Sequence, residues 1–220
     1  MKYTADEIRK AMLLYAVTDR RWLKDGETLS SVCRKVLENG ATFVQIREKD
    51  LPEADFAREA EALRKVCAEY RVPFVVNDSV EVALQSGADG VHVGQSDIKG
   101  RDIRAIIGPD RILGITARTV EEAVAAQKAG ADYIGVGAVF STGTKKDARL
   151  MTRERLLAIR AAVTIPMVAI GGVNAGDIME LAGSGVDGVA VVSGIFAAED
   201  PGAAAAKLAA LAGEMTARHG

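Results

Sequence analysis

Apolar residues along the chain follow two alternating periods. Short runs rich in Val, Ile, Leu and Ala recur at 13–18, 42–47, 73–77, 90–93, 111–116, 133–137, 166–170 and 188–192, a length that suits strands. Between them lie longer stretches, such as 53–70 and 120–129, where apolar side chains return every three to four positions, as on one face of a helix. Strand and helix alternate from end to end with no linker or composition break, which predicts one α/β domain over residues 1–220. A flavodoxin-like sheet needs only about five strands. Eight candidates therefore predict a closed, single-domain (β/α)8 TIM barrel with its active site at the C-terminal ends of the strands.

A faint repeat points the same way. Gly40-Ala41-Thr42, Gly87-Ala88-Asp89, Gly130-Ala131-Asp132 and Gly185-Val186-Asp187 each close a helix and open an even-numbered strand. Glycine there fits a left-handed helix C-cap, and the spacing suggests a barrel of similar quarters. It speaks of architecture, not chemistry.

Composition narrows the function. Of 220 residues, 49% are hydrophobic but only 5% aromatic, so the core must be aliphatic, as where helices cover strands on both faces. A net charge of −2 gives no reason to expect a nucleic-acid or membrane partner. Any anion has to be held by local groups, and small phosphorylated molecules are the expected ligands. Cys33 and Cys67 sit in helical stretches without metal-ligand spacing and read as inert thiols of a reducing cytoplasm. The apolar run 11–17 follows a mixed-charge segment and precedes no small-residue cleavage site. A signal peptide or membrane span is not expected, and a cytoplasmic location is. A homodimer is one assembly open to such a chain.

The chemistry should gather where strands end in residues that a core would not choose. Strand 2 runs into Gln45-Ile46-Arg47-Glu48-Lys49. Period-two alternation puts Gln45, Arg47 and Lys49 on one face, climbing toward the mouth. Arg47 as a fork and Lys49 as a point charge suit a phosphate or diphosphate. Asn77-Asp78 ends strand 3, and Asp97 follows strand 4. Each acid alone reads as a helix N-cap; as a pair beside Arg47 and Lys49 they suit Mg²⁺, completed by phosphate oxygens and water. The loop Ser141-Thr142-Gly143-Thr144-Lys145 is no Walker A loop, but could close over a phosphorylated ligand. Ile170-Gly171-Gly172 and Val192-Ser193-Gly194, after strands 7 and 8, have the makings of a backbone phosphate cradle. His92, among Val91 and Val93, reads as a hydrogen-bonded structural histidine. There is no Ser-His-Asp set, no nucleophilic Cys-His pair and no dinucleotide GxGxxG motif.

Taken in order, Tyr15-Ala16-Val17-Thr18-Asp19, Gln45 to Lys49, Asn77-Asp78, Gly90 to Gln95 with Asp97, Gly114-Ile115-Thr116, Thr142 to Lys145, Ile170 to Val173 and Val192-Ser193 strongly resemble the thiamine-phosphate synthase family. The likeness covers nearly the whole chain. It implies condensation of 4-amino-2-methyl-5-hydroxymethylpyrimidine diphosphate with 4-methyl-5-(2-phosphoethyl)thiazole, diphosphate leaving by a dissociative route. By that resemblance Gln45, Ile46, Arg47, Glu48, Lys49, Asn77, Thr116 and Lys145 contact the pyrimidine diphosphate. Thr142, Thr144, Gly172, Val192 and Ser193 hold the thiazole phosphate, and Asp78 and Asp97 hold Mg²⁺. Arg47, Lys49 and Lys145 spread the leaving charge. Thr116 stands where the family usually has serine; its hydroxyl survives, but its methyl group alters the fit. Two rivals are a thiazole tautomerase of the related barrel family, which would rest on histidine acid/base chemistry, and a non-catalytic phosphate-ligand sensor.

Overall fold

A computed structural model describes residues 3–98, 100–141 and 150–218. Eight short strands make the frame: β1 (Leu14–Val17), β2 (Phe43–Ile46), β3 (Phe74–Asn77), β4 (Gly90–Val93), β5 (Ile112–Ala117), β6 (Tyr133–Gly137), β7 (Met167–Ile170) and β8 (Gly188–Val191). Neighbours in sequence pair in parallel, and β8 returns to β1 through Leu14 opposite Val189, closing the barrel. Around it lie α2 (Leu29–Glu38), α3 (Glu53–Tyr70), α4 (Val80–Gln85), α5 (Ile103–Ile107), α6 (Val120–Lys128), α7 (Arg153–Ala162), the short α8 (Ser193–Phe196) and α9 (Pro201–Ala217), with α1 (Ala5–Ala11) preceding β1.

Alternate strand residues face opposite sides, so the chain builds two cores. Tyr15, Val17, Phe43, Val75, Ile112, Tyr133, Val168 and Ala190 fill the barrel interior. Their strand neighbours, such as Ala16, Val44, Ile46, Val76, Val91 and Ile134, pack outward against the helices. A cavity of about 660 Å³ between α5 and α6 lies in that outer layer, lined by Ile98, Ile103, Leu113, Ile115 and Ala126. The helix there, α5, is only five residues long, and the cavity reaches Gln95, just past the carboxyl end of β4.

Two departures from the expected strand-helix rhythm have local causes. The 6–10 segment is helical: Thr4 and Glu7 form a reciprocal capping box, and Ile8 and Met12 plug the interior core from the amino ends of the strands. Between β7 and β8 stands only a 3₁₀ turn, Ile178–Leu181. Gly176, Gly183 and Gly185 in 174–187 disfavour a longer helix.

The repeat takes physical form at the amino ends. Gly40, Gly87, Gly130 and Gly185 all have positive φ, as a left-handed cap requires. The third residue of each motif then clamps the preceding odd strand. Thr42 Oγ1 accepts from Leu14 N–H at 2.9 Å, Asp89 from Phe74 at 3.0 Å, Asp132 from Leu113 at 2.7 Å and Asp187 from Met167 at 2.8 Å. In return each clamp residue's own N–H donates to the carbonyl of the residue it holds. Four such two-point clamps rivet β1 to β2, β3 to β4, β5 to β6 and β7 to β8.

Candidate active site

At the carboxyl end, β1 runs into Thr18 and Asp19, both buried. Thr18 Oγ1 accepts from Arg47 N–H at 3.0 Å, which fixes the backbone from which the Arg47 side chain leaves β2. Asp19 takes the Arg21 fork, with Nε to Oδ1 at 2.9 Å. That bond, opposed by desolvation and helped by the charges of Arg21 and Arg47, holds its pKa below the usual carboxylate range.

Along β2 the alternation is visible residue by residue. Gln45 is buried inside the barrel, with its amide donating to Tyr15 Oη at 2.6 Å. Ile46 belongs to the outer core, so its side chain faces the helices and only its backbone is left for the mouth. Arg47 is half-buried and Lys49 exposed; among the described residues neither is held in a side-chain ion pair. Glu48 turns to Arg20, whose Nε donates to Oε2 at 2.7 Å. Its buried Oε1 has no partner among the described residues, leaving one acceptor for a ligand or water.

Asp78 follows β3 with φ 63°, a left-handed conformation that Asp tolerates better than most residues. Its N–H donates to the His92 carbonyl at 2.8 Å, tying the end of β3 to β4. Neither acid caps a helix: Ser79 caps α4 and Asp102 caps α5. Asp97 instead closes its own turn, accepting from Gly94 N–H at 2.9 Å. The Asp97 carboxylate lies near enough to the Asp78 carboxyl to interact with it. Desolvation, then the charge of Asp97 and a hydrogen bond with it, push the Asp78 pKa up, while Asn77 and Arg47 pull it down. Two carboxylates crowded together beside an arginine make a strained anionic pair that a divalent cation relieves. Among the described residues no group of three acidic, His or Cys ligands assembles, so a cation here would complete its shell with ligand oxygens and water, as Mg²⁺ does.

His92 is buried, with Nδ1 2.9 Å from Tyr133 Oη and Nε2 3.0 Å from Thr116 Oγ1, the structural histidine expected. Burial holds its pKa down at about 4, against a small opposing pull from Asp97. Thr116, half-buried at the end of β5, also accepts at its carbonyl from the Gln95 amide at 2.6 Å.

Across the mouth, Val139 N–H and Phe140 N–H donate to Ile170 and Gly171 carbonyls at 3.0 and 2.9 Å, carrying the β6–β7 pairing past the strand ends. Gly172, with φ 72°, presses its Cα face on the Phe140 and Ser141 carbonyls. A Cβ there would stand 2.7 and 2.6 Å from those oxygens, so only glycine fits. Val192 and Ser193 open α8 beside this turn, where the first N–H groups of a helix have no partner within it. Thr142, Thr144 and Lys145 lie outside the described residues; the Ser141 root of their loop meets Gly172. Asn77, Asp78, Asp97 and Arg47 come together on one side of the mouth, and Gly172, Val192 and Ser193 on another. Sequence reasoning passed over Thr18, Asp19, Tyr15 and Tyr133 as site residues; a buried polar residue on the inward phase of a strand was the available signal.

A parallel barrel whose open end collects an arginine with no ion pair among the described residues, two neighbouring carboxyls and a glycine turn defines a (β/α)8-barrel enzyme. The model of the thiamine monophosphate synthase family matches residues 14–195, and the chain belongs to that family. It is 47% identical over 195 residues to the thiamine-phosphate synthase of Ruminiclostridium cellulolyticum, covering 89% of this chain and 92% of that protein. It is 46% identical to that of Clostridium beijerinckii, over 89% and 93%. Among solved structures, thiamine phosphate pyrophosphorylase from Pyrococcus furiosus superposes with TM-score 0.86 at 39% identity, over 95% of this chain and 99% of that one. A geranylgeranylglyceryl phosphate synthase from Thermoplasma acidophilum, at 12% identity and TM-score 0.69, shares the fold alone. No helix among the described residues is long and apolar enough to cross a membrane.

Proposed function

We propose that the chain joins 4-amino-2-methyl-5-hydroxymethylpyrimidine diphosphate to 4-methyl-5-(2-phosphoethyl)thiazole, giving thiamine phosphate and diphosphate. The observation that carries this reading is the closeness of the Asp78 and Asp97 carboxyls beside Arg47, which forms no ion pair among the described residues. No protein nucleophile is needed. Arg47 and Lys49, with Lys145 from the loop, spread the charge of the departing diphosphate. Asp78 and Asp97 would hold Mg²⁺, which when bound neutralises charge on the diphosphate oxygens. Asn77 and Gln45 orient the electron-rich aminopyrimidine, whose methylene carbon takes on cationic character as the C–O bond breaks. Thr142, Thr144, Gly172, Val192 and Ser193 hold the second substrate by its phosphate, presenting the thiazole nitrogen to that carbon. Catalysis is positioning plus stabilisation of leaving charge.

The tautomerase alternative needs a histidine free to exchange protons. His92 is enclosed by Tyr133 and Thr116 and kept neutral by burial, which favours the synthase. Incubating the protein with both substrates and Mg²⁺, with the products read by mass, tests the choice. The expected product is thiamine phosphate, abolished by excess chelator; coupling unaffected by chelator, or binding of both substrates without turnover, contradicts the reading.

A further inference from the structure

Five polar side chains run in an unbroken line from the middle of the barrel to the mouth. The Gln45 amide donates to Tyr15 Oη at 2.6 Å. The Tyr15 and Tyr133 hydroxyls are 2.8 Å apart. Tyr133 Oη lies 2.9 Å from His92 Nδ1, and His92 Nε2 lies 3.0 Å from Thr116 Oγ1. The five come from β2, β1, β6, β4 and β5, and all but Thr116 are buried. The strands make room for them: a Cβ on Gly114 would stand 2.2 Å from the Tyr133 ring and 2.5 Å from His92 Nδ1. Such a line through an aliphatic core costs desolvation unless every member is satisfied.

Proton direction follows from donor and acceptor counts. Each phenol has one proton to give. Tyr15 receives the Gln45 amide proton, so the one acceptor left to it among the described residues is Tyr133. Tyr133 in turn donates to His92 Nδ1. A neutral imidazole that accepts at Nδ1 carries its proton at Nε2, and that proton goes to Thr116 Oγ1. The Thr116 hydroxyl, its oxygen already engaged, is left to donate into the mouth. Turning the Gln45 amide over would reverse every bond and aim a lone pair at any anion bound there.

We propose that Tyr133 and His92 are positioning residues that lock Thr116 as a hydrogen-bond donor toward the leaving diphosphate, through a one-way chain begun by Gln45. This rests on the reading that Thr116 contacts the diphosphate of the first substrate. It gives the buried tyrosine pair a task beyond packing.

Two measurements test it. The protein has two histidines, so ¹⁵N NMR of the imidazole rings resolves His92 directly in the unaltered protein. Nε2 protonated and Nδ1 bare is expected; the opposite tautomer overturns the proposal. Second, Tyr133→Phe, Thr116→Val and the double variant are compared for binding of inorganic diphosphate with Mg²⁺ and for kcat/KM. Thr116→Val is expected to weaken diphosphate binding roughly ten- to hundredfold, as for a lost bond to a charged group. Tyr133→Phe alone costs about five- to tenfold, yet in the Thr116→Val background it changes binding by less than about twofold. Independent, multiplying losses would make Tyr133 a packing residue only and overturn the proposal. If the unaltered protein fails to couple the two organic substrates, the reaction assignment falls, while the ring tautomer and the diphosphate cycle still decide the positioning claim.

Discussion

Asp78 and Asp97 each stand one or a few residues before a helix, where an acid usually earns its place as a cap. Ser79 and Asp102 take those duties, and the released carboxyls lie near enough to perturb one another. Sequence spacing displayed both acids but not this division of labour, because capping depends on local φ and ψ. Inside the barrel the missed residues were Tyr15 and Tyr133, whose sequence separation of 118 hides a pairing that only closure creates. His92 offers a residue-scale test. Its folded pKa of about 4 lies below the ordinary value near 6.5. Between those limits the unfolded chain binds more protons, so stability is complete above about pH 6.5 and falls as pH drops toward 4, by up to roughly 3 kcal/mol. Guanidinium unfolding midpoints across that window should slope less steeply in His92→Gln than in the unaltered protein. Gly172→Ala tests the proposed role of this turn in holding phosphate: a Cβ pressed on two carbonyls at positive φ should raise KM for the thiazole phosphate roughly tenfold or more while leaving the fold intact by circular dichroism.

At the scale of elements, the eight strands and the four glycine-capped quarters were legible because each rests on short-range pattern: apolar runs, turn residues, a glycine cap. What escaped was α1, whose apolar positions merge into the run that becomes β1, and the 3₁₀ turn that replaces a helix after β7. Their structures depend on what they pack against. Helix α1 plugs the end of the barrel opposite the mouth, with Ile8 wholly buried in the interior core. Ile8→Ala should therefore lower stability by about 2–4 kcal/mol, the usual cost of a large-to-small change in a packed core. Unfolding by denaturant reads the loss, and kcat at a temperature where the variant is folded should be unchanged. A matching fall in kcat would tie the plug to the mouth.

For the whole molecule, two concentric cores account for the composition: a large, mainly aliphatic outer layer between strands and helices, with Phe56, Phe74 and Phe196 in it, and a small inner one in which Tyr15, Phe43 and Tyr133 meet. The sequence carried the fold class and most of the mouth, since each barrel strand ends at one face and the polar strand ends must meet there. The thiols follow from the outer layer. Cys33 and Cys67 are buried, and burial pushes the Cys33 thiol up to about 12. Both should resist a thiol reagent at pH 8 in the native protein and react at once in denaturant; fast native labelling would show that the outer core opens. The neighbouring carboxylates remain the centre of the account, and Mg²⁺ titration tests them most directly. Turnover is followed against Mg²⁺ concentration in the unaltered protein, in Asp78→Asn and in Asp97→Asn. A half-maximal Mg²⁺ concentration raised tenfold or more in both variants, with saturating turnover down roughly 10²- to 10³-fold, is predicted. The same half-maximal concentration in all three proteins would contradict it.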